Sequence, residues 1–302
     1  MKFLKSNIFP FLSALLLFAS SCTDVIDVET DPADSQLVVD AWINDLMEPQ
    51  SIRLTQSQAY FDNSFSDGVT NATVMIESSE GTTFEFVHEA EGRYVWTPSV
   101  TGELGAVGTS FVLTIELDGE TYTSETTLFD APPVDSITQE FRDDQIGGPD
   151  GIYTEFFARD LPGLGNTYWI KTFKNGAFLN KPQEMNLAYD AAFDAGGEID
   201  GLIFIPPIRE ATNRVADDDG DDDNDVPPWE PGDEIRVEIH SISNAAHDFM
   251  SIAQEQMTNG DNTIFAIPLA NTTSNVANAA TGERVLGFFN VAKVTSLTKM
   301  IE

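Results

Sequence analysis

Phe111, Leu113, Ile115 and Leu117 occupy every second position of one short run, and Asp118-Gly119 follows them at once. A two-residue turn that needs positive φ at both positions is what Asp-Gly supplies, so the chain must fold back on itself here as a β-hairpin. Residues 120–127 provide the returning strand. Residues 51–56 alternate polar and apolar, the period of a half-buried strand, and strand-like runs at residues 37–43, 73–76, 83–87 and 93–96 stand at spacings typical of a sandwich. Seven short strands within about a hundred residues predict an immunoglobulin-like or transthyretin-like β-sandwich over residues 36–130.

The paired prolines of Ala131-Pro132-Pro133-Val134 cannot continue a ladder and stiffen the chain. Residues 131–134 are therefore expected to link the sandwich to a second domain, residues 135–302. Strand-like runs resume at residues 136–141, 154–158 and 167–173, and Asn175-Gly176 turns the last of these back through residues 177–179. Further strands are expected at residues 202–205, 234–239, 284–289 and 292–297. One helix is expected over about residues 244–256. Ser243 is suited to its N-cap, Ala246, Phe249, Met250, Ala253 and Met257 recur at helical spacing, and Asn259-Gly260 ends it. The whole is mainly β: a sandwich followed by a larger β-sheet or barrel-like domain carrying one helix.

Ahead of these domains, Lys2 and Lys5 precede an apolar run at residues 9–18, closed by Ala19-Ser20-Ser21-Cys22. The run is too short for a spanning helix, which needs about 20 residues, and reads as a removable signal over residues 1–21. Small residues before a cysteine are what a lipoprotein signal peptidase requires, so Cys22 is expected to carry lipid. An ordinary secretory signal cut nearby is the alternative. Cys22 is the chain's only cysteine, which excludes a disulfide framework and a thiolate metal site. Residues 22–35, with Asp24, Asp27, Glu29, Asp31 and Asp34, form an acidic tether. Fifty Asp and Glu against 15 Lys and Arg give a net charge of −35, which repels nucleic acid and anionic headgroups. The lipid would then be the chain's one membrane contact.

The chain also resembles a known family. The features that carry the resemblance run in order: the lipobox and acidic tether, a valine-rich strand ending in Trp42-Ile43, Ala59-Tyr60-Phe61-Asp62-Asn63, the Asp118-Gly119 hairpin and Pro132-Pro133-Val134-Asp135-Ser136. Trp229-Glu230-Pro231-Gly232-Asp233 then leads into Val237-Glu238-Ile239-His240-Ser241-Ile242, and Val285-Leu286-Gly287-Phe288-Phe289 comes near the end. Together they are similar to the Bacteroidota outer-membrane lipoproteins classed as domain of unknown function 4249. The resemblance implies an accessory role beside a TonB-dependent outer-membrane receptor and brings no catalytic residues with it. In that phylum, acidic residues just after the lipidated cysteine favour export to the cell surface, a pattern that Asp24 and Asp27 fit loosely.

The sharpest local motif is the acidic run at residues 217–225. Calcium takes six to eight oxygen ligands, and Asp217, Asp219, Asp221, Asp223 and Asp225 around Gly220 offer alternate carboxylates. An EF-hand alignment fails, because its first and last ligands would be Val215 and Val226. A solvated loop of mutually repelling charges is the competing reading. Of the three histidines, His88 is expected to face solvent at a strand end, His240 lies in an alternating strand, and His247 is expected on the outer flank of the helix. None has a partner one helical turn away, as a zinc hydrolase site requires. Gly108-Thr109-Ser110 lacks the second glycine of a nucleophile elbow. Gly147-Gly148-Pro149-Asp150-Gly151 precedes a strand instead of opening a phosphate-binding helix. Trp42, Trp96 and Trp169 fall in strand patterns and are expected to pack. Trp229, between Pro228 and Glu230, is a candidate to stack on a ligand or to pin its own loop.

No catalytic set emerges, so the expected function is non-enzymatic: a lipid-anchored binding or accessory protein at the outer membrane, beside a TonB-dependent transporter and without a cofactor unless calcium binds. The alternatives are a surface hydrolase of glycans or peptides working through carboxylates of the second domain, and a calcium-stabilised adhesin.

Overall fold

The computed structural model describes residues 34–59, 62, 64–143, 149–193, 199–215, 227–258 and 272–302. In chain order the elements are β1 (Leu37–Asn44), β2 (Gln50–Gln56), β3 (Thr73–Ser78), β4 (Thr83–Ala90), β5 (Arg93–Trp96), β6 (Ser110–Leu117) and β7 (Glu120–Thr127). Then come β8 (Val134–Arg142), β9 (Gly151–Ala158), β10 (Thr167–Lys174), β11 (Ala177–Phe178), a 3-10 turn (Pro182–Glu184), β12 (Asn186–Tyr189), α1 (Pro206–Glu210) and β13 (Glu234–Ile242). The chain closes with α2 (Asn244–Thr258), β14 (Ala277–Asn278), β15 (Leu286–Ala292) and β16 (Val294–Met300). All of these elements fall in one compact unit, Ser35–Gln58 together with Asn63–Glu302. No helix of the described residues is long and apolar enough to cross a membrane.

The seven strands expected at the N-terminus all form. They belong to one sheet of nine strands, ordered β14-β7-β6-β3-β4-β5-β2-β1-β15. The sheet curls until β15 comes against β7, and Phe129, just past β7, bridges in parallel to Ala292. One sheet therefore supplies both walls of its own core, as the two sheets of a sandwich would. The inward residues recur with period two: Val39, Ala41 and Ile43 on β1, Ile52 and Leu54 on β2, and Phe111, Leu113 and Ile115 on β6 are all 1% exposed or less. Tyr94 is buried with them. Its hydroxyl donates to Val69 O and accepts from Ala72 N, both at 3.0 Å, so it fixes the loop entering β3.

Two strands of this sheet come from far along the chain. β14 pairs with β7, and β15 lies parallel to β1 over seven residue pairs, Val38↔Leu286 to Asn44↔Ala292. Residues 277–292 thus complete the first sheet, where the sequence pattern had placed them in the second domain. Parallel pairing has no tight turn to announce it, which is why alternation alone did not find it.

The second sheet is ordered β11-β10-β13-β16, with β12 also pairing with β10 off this path, and β8 and β9 form a separate two-stranded ladder. Tyr168, Ile170, Ile235, Val237 and Ile239 point to one face and pack with Phe156, Phe204, Ile208 and Trp229. The expected helix forms as α2, with Ser243 Oγ accepting from Ala246 N at 3.1 Å as an N-cap does. A third apolar cluster joins the two sheets through Phe288 of β15, Ile242, Ala246 and Met250, with Trp42, Trp169 and Phe249 packed against it.

Candidate functional site

The face of β13 opposite its core carries Arg236, Glu238 and His240 at every second residue. Antiparallel register sets them across from Phe173, Lys171 and Trp169 of β10. Contacts run both across the strands and along them. The Arg236 guanidinium lies 3.9 Å from the Phe173 ring centroid, and Lys171 Nζ lies 3.8 Å from that of Trp169. Glu238, 2% exposed, accepts from Arg236 Nη1 and from His240 Nε2, the latter at 2.9 Å. Trp42 of β1 then meets Trp169 edge-on at 5.8 Å and stacks on Phe288 at 5.8 Å, so the first sheet covers part of the ladder.

Burial sets the protonation states here. It pushes the His240 imidazole down to about 4, helped by Lys171 and Arg236 and opposed by Glu238, so His240 is neutral at pH 7 and Nε2 carries the proton that Glu238 accepts. Burial opposes ionisation of Glu238, but the hydrogen bond from His240 and the positive charges beside it outweigh this and hold the carboxyl below its usual range. Between Trp42, Trp169, Lys171, His240 and Asn290 there remains a space of about 10 Å³, room for roughly one water. This network joins two sheets and leaves no space for a substrate.

Lys171 stands apart chemically. Of the five described lysines, Lys174, Lys181, Lys293 and Lys299 each donate to an oxygen. Lys171 has only the faces of Trp169 and Phe178. Burial lowers its ammonium to about 8, against the pull of Glu238, Glu48 and Asp40. At neutral pH it should therefore be the lysine most rapidly acylated by an amine-directed reagent, with a rate midpoint near 8. Peptide-resolved mass spectrometry across a pH series checks this; equal rates at all five lysines would refute it.

A larger hollow, about 380 Å³, lies between the Pro182–Glu184 turn, β12, α1 and α2. This volume falls in the range of small-molecule sites, roughly 300–1,000 Å³. Met185, Leu187, Phe193 and Pro207 form its apolar wall, and Gln183, Asn186, His247, Ser251 and Gln254 its polar one. Asn186, Gln254 and Ser251 are held by their own donors. Asn186 Nδ2 donates to Ile208 O at 2.9 Å and ties β12 to α1. Gln254 Nε2 donates at 2.8 Å to both Pro182 O and Met185 O, tying α2 to the turn. Ser251 Oγ donates to His247 O at 2.9 Å. Among the described lining residues there is no Asp, Glu, Lys or Arg.

Several residues singled out in the sequence sit elsewhere than expected. Trp229 is 1% exposed and packs in the second core, with Lys174 Nζ 5.5 Å from its ring centroid. It pins its loop and has no free face for a ligand. His88 is half-buried, 5.1 Å from the Tyr94 ring, and does not stand free in solvent. His247 is 8% exposed, not on an outer flank, because Tyr189 of β12 meets its ring edge-on at 5.8 Å. Among the described residues no group of three His, Cys, Asp or Glu is arranged to hold a metal. Cys22 and the proposed calcium ligands Asp217, Asp219, Asp221, Asp223 and Asp225 lie outside the described residues. The hollow itself had no sequence signal, since its walls come from four elements spread over 70 residues.

Residues 23–298 match the family described as Domain of unknown function (DUF4249). The chain belongs to the DUF4249 family. No curated protein matches it. The ordered motifs of this DUF4249 chain now have structural jobs. Trp42 joins the sheets. Asp233, closing the Trp229–Asp233 turn, accepts from Glu230 N at 2.9 Å and pairs with Lys174 at 2.9 Å. Gly287 lets β15 lie against β1, and Phe288 and Phe289 fill the cores on either side of it.

Proposed function

We propose that this DUF4249 protein is a Bacteroidota lipoprotein, anchored to the outer membrane through Cys22, that captures a ligand as an accessory to a TonB-dependent transporter. The observation that carries the reading is where the family match begins. It starts at residue 23, immediately after Cys22, where a lipoprotein cut ahead of that cysteine would begin its fold, and runs to residue 298. The hollow beside α2, with no Asp, Glu, Lys or Arg among its described lining residues, supports capture of a ligand, and the polar network between the sheets supports a rigid carrier. The acidic surface keeps such a protein off anionic headgroups, leaving the lipid to hold it.

Cys22→Ala should move the protein from the membrane fraction to the soluble fraction with an unchanged melting temperature. Retention in the membrane would refute the anchor. Detergent pull-down of the native lipoprotein should retrieve a TonB-dependent receptor; recovery of the lipoprotein alone, where other such pairs survive, would refute the partner.

A further inference from the structure

We propose that the hollow between β12, α1 and α2 binds an uncharged, polyhydroxylated ligand of mono- or disaccharide size. This rests on the reading of the chain as a binding protein and names what it binds.

The wall chemistry excludes the other ligand classes in turn. A cationic ligand needs a carboxylate beside it, and none of the described lining residues is acidic although the chain has 50 Asp and Glu. An anionic ligand needs a cationic side chain; the described lining holds no Lys or Arg, its one histidine, His247, is set edge-on against Tyr189, and the body carries a net charge of −35. A wholly apolar ligand would cover the oxygens of the polar wall without bonding them. Asn186 is 5% exposed and its Nδ2 is spent on Ile208 O; among the described residues nothing donates to its Oδ1. Gln254 is in the same position, with Nε2 spent on two backbone carbonyls and Oε1 left as an acceptor. Ser251 Oγ, its proton given to His247 O, also accepts only. An apolar ligand would strip water from these acceptors and offer no donor in exchange, which opposes its binding.

What fits is a molecule that donates several hydrogen bonds on one side and shows C–H surface on the other. Hydroxyl groups meet Asn186, Ser251 and Gln254, while the C–H face lies on Phe193 and Met185. Phe193 is 47% exposed at the mouth, placed for a ring to stack on from solvent.

Calorimetry on the full lipidated protein, in a detergent without a sugar headgroup, tests this with methyl glucoside, maltose, cellobiose and xylobiose. Glucuronate, glucosamine and benzyl alcohol serve as the charged and apolar comparisons. At least one neutral saccharide should bind, and the comparison compounds should not. Phe193→Ala should weaken binding about tenfold, the ~1.4 kcal/mol of one aromatic contact, with no loss of melting temperature because the ring is exposed. Ser251→Ala should weaken it less. The proposal is overturned if no neutral saccharide binds, if a charged or apolar compound binds better, or if binding ignores both substitutions. Receptor pull-down with Phe193→Ala separates the two readings: retrieval of the receptor without saccharide binding to wild type overturns the ligand class alone.

Discussion

Gly287→Ala should be among the most damaging single substitutions in this protein. Gly287 lies opposite Val39 in the parallel pair of β1 and β15, with φ at +92°. A Cβ there would stand 1.9 Å from Val39 O and 2.7 Å from Val39 C. Both atoms belong to the backbone of a strand in the middle of the core, so neither can rotate away. Two costs combine: about 1–3 kcal/mol for a non-glycine residue at this φ, and about the same for overpacking that only a parting of the strands relieves. The expected loss is about 3 kcal/mol or more, or roughly 10 °C in Tm for a chain of this size. Gly282→Ala is the matched control. Its φ is +73°, but no atom lies within 4 Å of the added carbon, so it carries the backbone strain without the clash. Thermal melts should place Gly287→Ala well below Gly282→Ala. Equal Tm values would mean that the close approach of the two strands contributes nothing.

Gly287 also marks the limit of what alternation and turn chemistry reveal. Asp118-Gly119 and Asn175-Gly176 were legible because a hairpin turn is local. All four residues have positive φ, and the flanking pairs Leu117↔Glu120 and Lys174↔Ala177 close as expected. The alternating core of β1, β2 and β6 was legible for the same reason, since period two needs no knowledge of partners. Pairing of β15 with β1 joins residues almost 250 positions apart, and a five-residue motif does not name its partner. Trp42 and Trp169 could be read as packing residues, but not as packing on each other across two sheets. His247 was misplaced because helical spacing identifies an apolar stripe, while the covering Tyr189 comes from a strand that four residues hardly announce. The hollow was invisible for the same reason.

Glu238 should be the costliest charge to remove. Arg236, Glu238 and His240 repeat every second residue, a pattern that elsewhere means a solvated face, yet the first sheet covers Glu238 and His240 here. Glu238→Ala leaves Arg236, one-third exposed, and Lys171 without their buried counter-charge and takes the acceptor from His240 Nε2. Breaking a fully buried pair costs about 3–5 kcal/mol; water reaching Arg236 reduces this to about 2–3 kcal/mol. Urea unfolding at pH 7 measures it, and a loss under about 0.5 kcal/mol, the size of an ordinary surface change, would contradict the network. The same contacts fix the response to acid. His240 is held near 4 in the folded chain and returns to about 6.5 when unfolded, so the unfolded state binds more protons between these values. Stability from His240 is therefore full above pH 6.5 and falls as pH drops toward 4, by up to about 3 kcal/mol. Glu238, held below its usual range, acts in the same direction, with its contribution lost as pH falls below about 4.5. His240→Gln keeps an N–H for Glu238 and cannot titrate. Its stability curve should be flatter than wild type between pH 6.5 and 4 and should run parallel to it above pH 7. Parallel curves across the whole range would show that His240 is not held neutral by this ladder.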